Sequence, residues 1–208
     1  MARVGRIAVL GAGGHAQVVV AAVLASGGVV TEIYDDDPHT WGRQILGIPV
    51  VGALDRCRTG AADGFVVAIG DNAAREMVVA RFSDVPFVSV VHAFTWVCPG
   101  VPVGEGTVIL AGAIVQPGAS IGRHAIINTS ASVDHDTVIE DFAHVGPGAR
   151  LSGGVMIGRG ALLGTGVVVT PGREVGASAV VGAGGVIVRD VARGTTVAGV
   201  PARPLRPM

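Results

Sequence analysis

The sequence predicts two architectures in one chain: a small α/β unit over residues 1–92 and an all-β parallel β-helix over residues 93–208. Three observations lead there. The first half alternates strand-like and helix-like runs, the pattern of a parallel sheet with helical crossovers. The second half places an aliphatic residue at every sixth position without a break. The chain is also 50% hydrophobic but only 4% aromatic, with 33 glycines, so small and β-branched residues must pack a narrow, regular core.

In the first unit, Arg6 to Leu10 reads as a short buried strand that runs into the turn Gly11-Ala12-Gly13-Gly14. A helix follows from about His15 to Ala25. Val29 to Tyr34 makes a second strand and ends at Asp35-Asp36-Asp37. Phe65 to Ile69 is a further strand; Gly70-Asp71-Asn72 then caps a helix from Ala73 to about Arg81. Val85 to Val91 reads as the last strand. The sum is a small Rossmann-like domain.

The hexad series begins at Val97 and passes through Val103, Ile109, Val115, Ile121 and Ile127 to Ile187. The residue two places earlier is usually small or β-branched, as at Thr107, Ala113 and Ala125. The residue after is often glycine, as at Gly104, Gly122 and Gly146. Neither an α-helix nor a hairpin sheet has this period. A hexapeptide β-helix does: each hexad is one short strand and a turn, and three hexads close one triangular coil. About five coils are expected.

Composition narrows the function. The formal net charge is -1 with no block of like charges, so there is no nucleic-acid footprint, and all 15 basic residues are arginine. No apolar run suits a bilayer span, and Met1 to Leu10 lacks the order of a signal peptide, so a cytoplasmic protein without a membrane partner is expected. Cys57 and Cys98 have no CxxC spacing and read as reduced fillers.

Three histidines fall in the repeats: His124, His135 and His144. At eighteen residues per coil, His135 stacks ~4.8 Å from Gly153. With no side chain at Gly153, its N–H is open beside the imidazole, so a base and an oxyanion donor could flank one carbonyl. Asp134 and Asp136 bracket His135 and could orient it. His144 lies half a coil away, so the two meet only across a threefold interface. The plainer alternative is three solvated corner residues. A zinc site needs three converging ligands, and these separations do not suit one, so no metal is expected. In the first unit, the amides at Gly13 and Gly14 could cradle phosphate at a helix N-terminus, and Asp35 and Asp36 could accept ribose or base hydrogen bonds. The alternative is a turn that merely needs glycine.

Together the motifs Gly-Ala-Gly-Gly-His at 11–15, Asp35-Asp36, Ala68-Ile69-Gly70, Asn128-Thr129-Ser130, Asp134-His135-Asp136 and Phe142-Ala143-His144-Val145 resemble the bacterial nucleotide-amino-sugar N-acetyltransferases. This is the group around bacillosamine and perosamine biosynthesis and the sialic-acid O-acetyltransferase-like proteins. The resemblance covers nearly the whole chain, including the closing Gly199-Val200-Pro201-Ala202-Arg203. It implies a left-handed β-helix, a homotrimer with active sites at subunit interfaces, acetyl-CoA as cosubstrate and a nucleotide-linked amino sugar as acceptor. By the same resemblance, His135 is the general base, with Asp136 where the family carries Glu. Asn128 organises the site, and the Gly153 amide holds the thioester oxygen. His144, Thr165 and Ala183 contact acetyl-CoA. Gly13, Gly14, His15, Asp35, Asp36 and Gly70 hold the nucleotide sugar. Two other functions are compatible with these residues: O-acetylation of a sialic acid or other sugar hydroxyl, and a non-catalytic sugar-nucleotide scaffold.

Overall fold

The computed structural model describes residues 5–60 and 62–205; the outer ends of the two expected domains, 1–4 and 206–208, lie outside the described residues. The first unit is a five-stranded sheet. Strands β1 (Arg6–Leu10), β2 (Val29–Tyr34), β3 (Gln44–Ile45), β4 (Ile48–Gly52) and β5 (Gly64–Val67) lie in the order β3-β4-β2-β1-β5. All neighbours are parallel except β3 and β4. Helix α1 (Gly14–Ala25) crosses from β1 to β2, and α2 (Asn72–Arg81) follows β5. The Asp71 carboxylate caps α2 by accepting the Ala74 N–H at 2.8 Å.

The β3–β4 hairpin was not anticipated. Its turn puts both Leu46 (φ 50) and Gly47 (φ 82) in the left-handed region. Leucine is unusual at the first of these positions, which disguises the turn signal.

The strand expected at Val85–Val91 divides between two sheets. Phe87 makes an isolated bridge to Phe65 at the edge of the first sheet. Val90–Val91 instead pairs with Val108–Ile109 and opens one face of the β-helix. Apolar side chains are needed on both stretches, so the run looks continuous, while Pro86 and Ser89 mark where it changes partner.

From there the repeats form a three-faced prism with sheets of eight, six and four strands. Registers step by eighteen residues, as in Ile127↔Val145↔Leu163 and Val133↔Leu151↔Val169. The last coil is shorter, with Val175 opposite Val191 and Val181 opposite Val197. Every hexad residue from Ile109 to Ile187 is buried, and Val97 and Val103 pack against them. The small positions two residues earlier, such as Ala113, Ala125 and Ala131, are buried too. Inside the stack, the Thr107 hydroxyl donates to Gly122 O at 2.7 Å and accepts from Ala125 N at 3.0 Å, so its burial leaves no unmet hydrogen bond.

The two units share a core. Val19, Val20 and Val23 of α1 belong to the same apolar cluster as Val90, Val108, Leu110 and Ile126 of the eight-stranded face. One face of the prism is thereby covered near its N-terminal end. Burial of such aliphatic side chains contributes roughly 1.5–3 kcal/mol each, which holds the first unit against the helix.

Candidate active site

The candidate residues fall on three places. The first is the corner between the six-stranded and four-stranded faces, which carries His135 and Asp136. Asp136 occupies the left-handed position of the turn (φ 57), a conformation that Asp tolerates better than most residues. Its Oδ2 lies 2.9 Å from His135 Nδ1. The pair is seated on two glycines. A Cβ on Gly153, one coil on, would lie 2.4 Å from both Cε1 and Nε2 of His135; a Cβ on Gly118, one coil back, would lie 2.3 Å from Asp136 Oδ1. The imidazole therefore rests flush on Gly153, as the stacking argument required. Gly153 donates no hydrogen bond from its N–H among the described residues. The hydrogen bond to Asp136, and then the Asp134 charge, hold the His135 pKa above its ordinary value. With Nδ1 facing the carboxylate, neutral His135 keeps its proton there and presents Nε2 as the free acceptor.

The second place is the next edge of the prism, between the eight-stranded and six-stranded faces. Asn128 stands here, and Thr165 and Ala183 lie on it in the Thr129-Pro147-Thr165-Ala183 column that the eighteen-residue period creates. Beside it, His144 projects from the eight-stranded face towards the first unit. Its Nδ1 is 3.2 Å from Gly70 O, its Nε2 is 3.0 Å from Asn128 Nδ2, and its ring centroid is 6.2 Å from that of His15. Burial, chiefly, lowers the pKa of both histidines to about 4, so both are neutral at pH 7. The structure thus gathers His15, Gly70, Asn128 and His144. No hydrogen bond joins them to His135, which sits across the width of the six-stranded face. Of the three histidines only His135 is a solvated corner residue; His144 is half-buried on a strand, and His124 is buried between Phe87 and Phe142.

Sequence reasoning missed the residue that ties this cluster together. Arg75 of α2 is 1% exposed and, among the described residues, its guanidinium bonds to carbonyl and amide oxygens rather than to a carboxylate. Its Nε donates to His124 O at 2.9 Å; one Nη donates to Ile69 O at 3.0 Å and Gly70 O at 3.3 Å; the other donates to Asn72 Oδ1 at 2.8 Å and Phe142 O at 2.7 Å. Burial lowers its pKa to about 10, which still leaves it charged at neutral pH. Helical spacing hides it, because nothing local distinguishes Arg75 from the surface arginines.

The third place is the Gly turn. Gly13 and Gly14 are exposed at the N-terminus of α1, and no atom would lie within 4 Å of a Cβ on either. They border a cleft of about 270 Å³ with Gln17, Arg43 and Leu46. Arg43 comes from the unanticipated hairpin and brings a cation to the mouth of the cleft. The two aspartates are committed elsewhere in part. Asp35 accepts from Ala12 N at 2.6 Å and Asp37 N at 2.8 Å, bracing the turn. Asp36 accepts from Leu54 N at 3.0 Å and pairs with Arg81 at 2.6 Å.

Among the described residues, no group of three or more His, Cys, Asp or Glu is arranged around a common point, and no helix is long and apolar enough to cross a membrane.

An α/β unit seated on a hexapeptide prism, with a histidine–carboxylate pair at one corner, defines a hexapeptide-repeat transferase. The comparisons agree. Residues 6–82 match the PglD N-terminal domain and residues 136–171 match the bacterial transferase hexapeptide repeats. The chain is 39% identical to perosamine N-acetyltransferase from Caulobacter crescentus, solved as a histidine-to-asparagine mutant with CoA and GDP-perosamine, over 98% of each chain with a TM-score of 0.93. It is 37% identical to the acetyltransferase domain of PglB from Neisseria gonorrhoeae, solved with acetyl coenzyme A, over 96% of this chain and 98% of that one, TM-score 0.89. WeeI from Acinetobacter baumannii is 29% identical over 97% of this chain and 100% of that one, TM-score 0.84. The chain also matches uncharacterized protein L142 of Acanthamoeba polyphaga mimivirus, 26% identical over 98 residues, or 47% of this chain and only 20% of that longer protein. The chain belongs to the PglD-type sugar acetyltransferases, and its β-helix is left-handed.

Proposed function

We propose that this protein transfers the acetyl group of acetyl-CoA to the amine of a nucleotide-linked amino sugar. The observation that carries this reading is the His135 imidazole lying on Gly153, with Nδ1 held by Asp136. His135 Nε2 takes a proton from the sugar amine as its nitrogen attacks the thioester carbonyl. The Gly153 N–H donates to the carbonyl oxygen as negative charge builds there. The C–S bond then breaks, CoA leaves as the thiol after gaining a proton, and the acetylated amide remains on the sugar. No acyl-enzyme is needed; Cys57 is buried in the first unit, and Cys98 lies two coils before Asp134 on the prism. The N-acetyltransferase relatives with bound CoA, acetyl-CoA or GDP-perosamine support both substrates.

In this reading the division near residue 92 is functional. The first unit holds the nucleotide sugar at Gly13, Gly14, His15 and Gly70, with Asp35 and Asp36 shaping its cleft. The β-helix, whose first strand is Val90–Val91, holds acetyl-CoA along the edge of Asn128, His144, Thr165 and Ala183. A chain of this kind acts in the cytoplasm, where acetyl-CoA and nucleotide sugars meet. It acts as a homotrimer. The two candidate edges bound the same six-stranded face, whose outward residues Trp96, Ile114 and Val168 are 48%, 39% and 36% exposed in the single chain. The same column carries Ser132 and the exposed Arg150 between Ile114 and Val168, and packing that face about a threefold axis sets the His135 corner of one subunit beside the Asn128 edge of the next.

The test is a paired assay. Purified protein is given acetyl-CoA with UDP-, GDP- or dTDP-linked amino sugars and with the matching hydroxyl sugars, and CoA thiol release and product mass are followed. Acetylation of an amino sugar without acetylation of its hydroxyl analogue supports the proposal. Preference for the hydroxyl sugar, or no transfer to any acceptor, overturns it.

A further inference from the structure

We infer that Arg75 is a positioning residue: by holding the Gly70 carbonyl it sets the tautomer of His144 and, through that ring, the orientation of the Asn128 amide. The inference rests on the functional reading only for placing Asn128 and His144 in the site.

The chain of contacts has one consistent proton assignment. Gly70 O is an acceptor only. It takes an Arg75 Nη–H at 3.3 Å and faces His144 Nδ1 at 3.2 Å, so Nδ1 must carry a proton. In the neutral ring Nε2 is then bare, and it accepts from Asn128 Nδ2 at 3.0 Å. Asn128 Oδ1 accepts the Thr129 N–H at 2.8 Å. Turning the Asn128 amide over would set oxygen against a bare nitrogen and NH2 against N–H. Turning the His144 ring over would set carbon against Gly70 O. Each alternative breaks two contacts. The second Asn128 N–H remains for a ligand.

Arg75 is what makes this arrangement dependent on the first unit being seated. Its guanidinium grips Ile69, Gly70 and Asn72 on one side and the His124 and Phe142 carbonyls of the β-helix on the other. Gly70 is therefore held at one height over His144. The charge acts in the same sense: after burial, Arg75 is the next cause that keeps His144 unprotonated, and His15 is the other titratable ring facing it. A protonated His144 would turn Nε2–H towards the Asn128 NH2 and release the amide.

The experiment uses the full-length protein carrying 15N-labelled histidine, with the His144 signals assigned by their loss in His144→Gln. In the wild type, Nδ1 should show the shift of a protonated nitrogen and Nε2 that of a bare one. Arg75→Met should mix the tautomers and lower kcat/KM for acetyl-CoA by about tenfold or more, the scale expected when a site group is misplaced. Arg75→Lys keeps a cation that reaches Gly70 O but cannot span to both β-helix carbonyls. It should melt lower than the wild type, yet restore the Nδ1–H tautomer and recover part of the activity lost in Arg75→Met. Three results overturn the inference: His144 protonated on Nε2 in the wild type, an unmixed Nδ1–H tautomer in folded Arg75→Met, or Arg75→Lys with the tautomer lost. Should Arg75→Met not fold, the wild type and Arg75→Lys still decide. The tautomer is read without substrate, so a wrong acceptor assignment would show only in the activity arm.

Discussion

Replacing Gly153 with alanine tests the His135 base without touching it. The added Cβ would stand 2.4 Å from Cε1 and Nε2 of His135, where ordinary contact begins at 3.4 Å. The ring must therefore retreat by about 1 Å, and a displacement of that size at a reacting group costs on the order of 10²-fold in rate. The fold should barely notice. The φ of Gly153 lies outside the left-handed region, and the His135 side chain is 63% exposed, so it can swing into solvent. A surface change of this kind alters stability by roughly 0.5 kcal/mol or less. The assay is steady-state CoA thiol release, with a thermal melt of the same preparation. A kcat within a few-fold of wild type at unchanged Tm would refute the stacked base and the Gly153 amide together.

Three further outcomes follow from the same geometry. The Asp136 hydrogen bond is the largest cause that raises the His135 pKa, and the base is free only above that pKa; Asp136→Asn should therefore move the acidic limb of the kcat/KM profile to lower pH, and an unmoved limb would detach Asp136 from the base. Gly13→Val places its side chain in open space at a residue with φ -77, so the protein should fold normally while KM for the nucleotide sugar rises and KM for acetyl-CoA holds; equal effects on both would remove the turn from the sugar site. His15 and His144 are half-buried and neutral with pKa about 4 against an ordinary 6.5, so the unfolded chain binds more protons between those values; stability should be complete above pH 6.5 and fall by on the order of 3 kcal/mol towards pH 4, a loss that His15→Gln should lessen in pH-resolved melts.

Much of this was legible in the sequence because a β-helix writes its geometry as a period. Eighteen residues per coil place His135 on Gly153, and the hexads mark the buried core from Ile109 to Ile187 with Val97 and Val103 packed against it. The same arithmetic put His144 half a coil from His135, and the structure keeps them on separate edges. What the period does not encode is what leans against the prism. His144 is held by Gly70, and Asn128 turns to His144 rather than to His135, because the first unit covers that end of the eight-stranded face. Arg75 and Arg43 escaped notice for a related reason. One lies on a helix and the other on a short hairpin, and their roles come from contacts or clefts formed only after packing. Val85–Val91 shows the limit of local pattern: seven residues of strand-like sequence serve two sheets in turn.

The account turns on one claim, that each chain carries two halves of a site on different edges and completes them with a neighbour. Mixed oligomers measure it directly. His135→Ala subunits and His144→Ala subunits, each impaired alone, are unfolded together and refolded as mixtures, and their composition is confirmed by native mass spectrometry. If the site is shared, a 1:1 mixture should hold both histidines in roughly one pocket in four of a cyclic trimer and regain that share of the lost thiol-release activity. If both histidines of a site come from one chain, every pocket carries a lesion, and activity that stays at the level of the separate variants despite proven mixing would contradict the account.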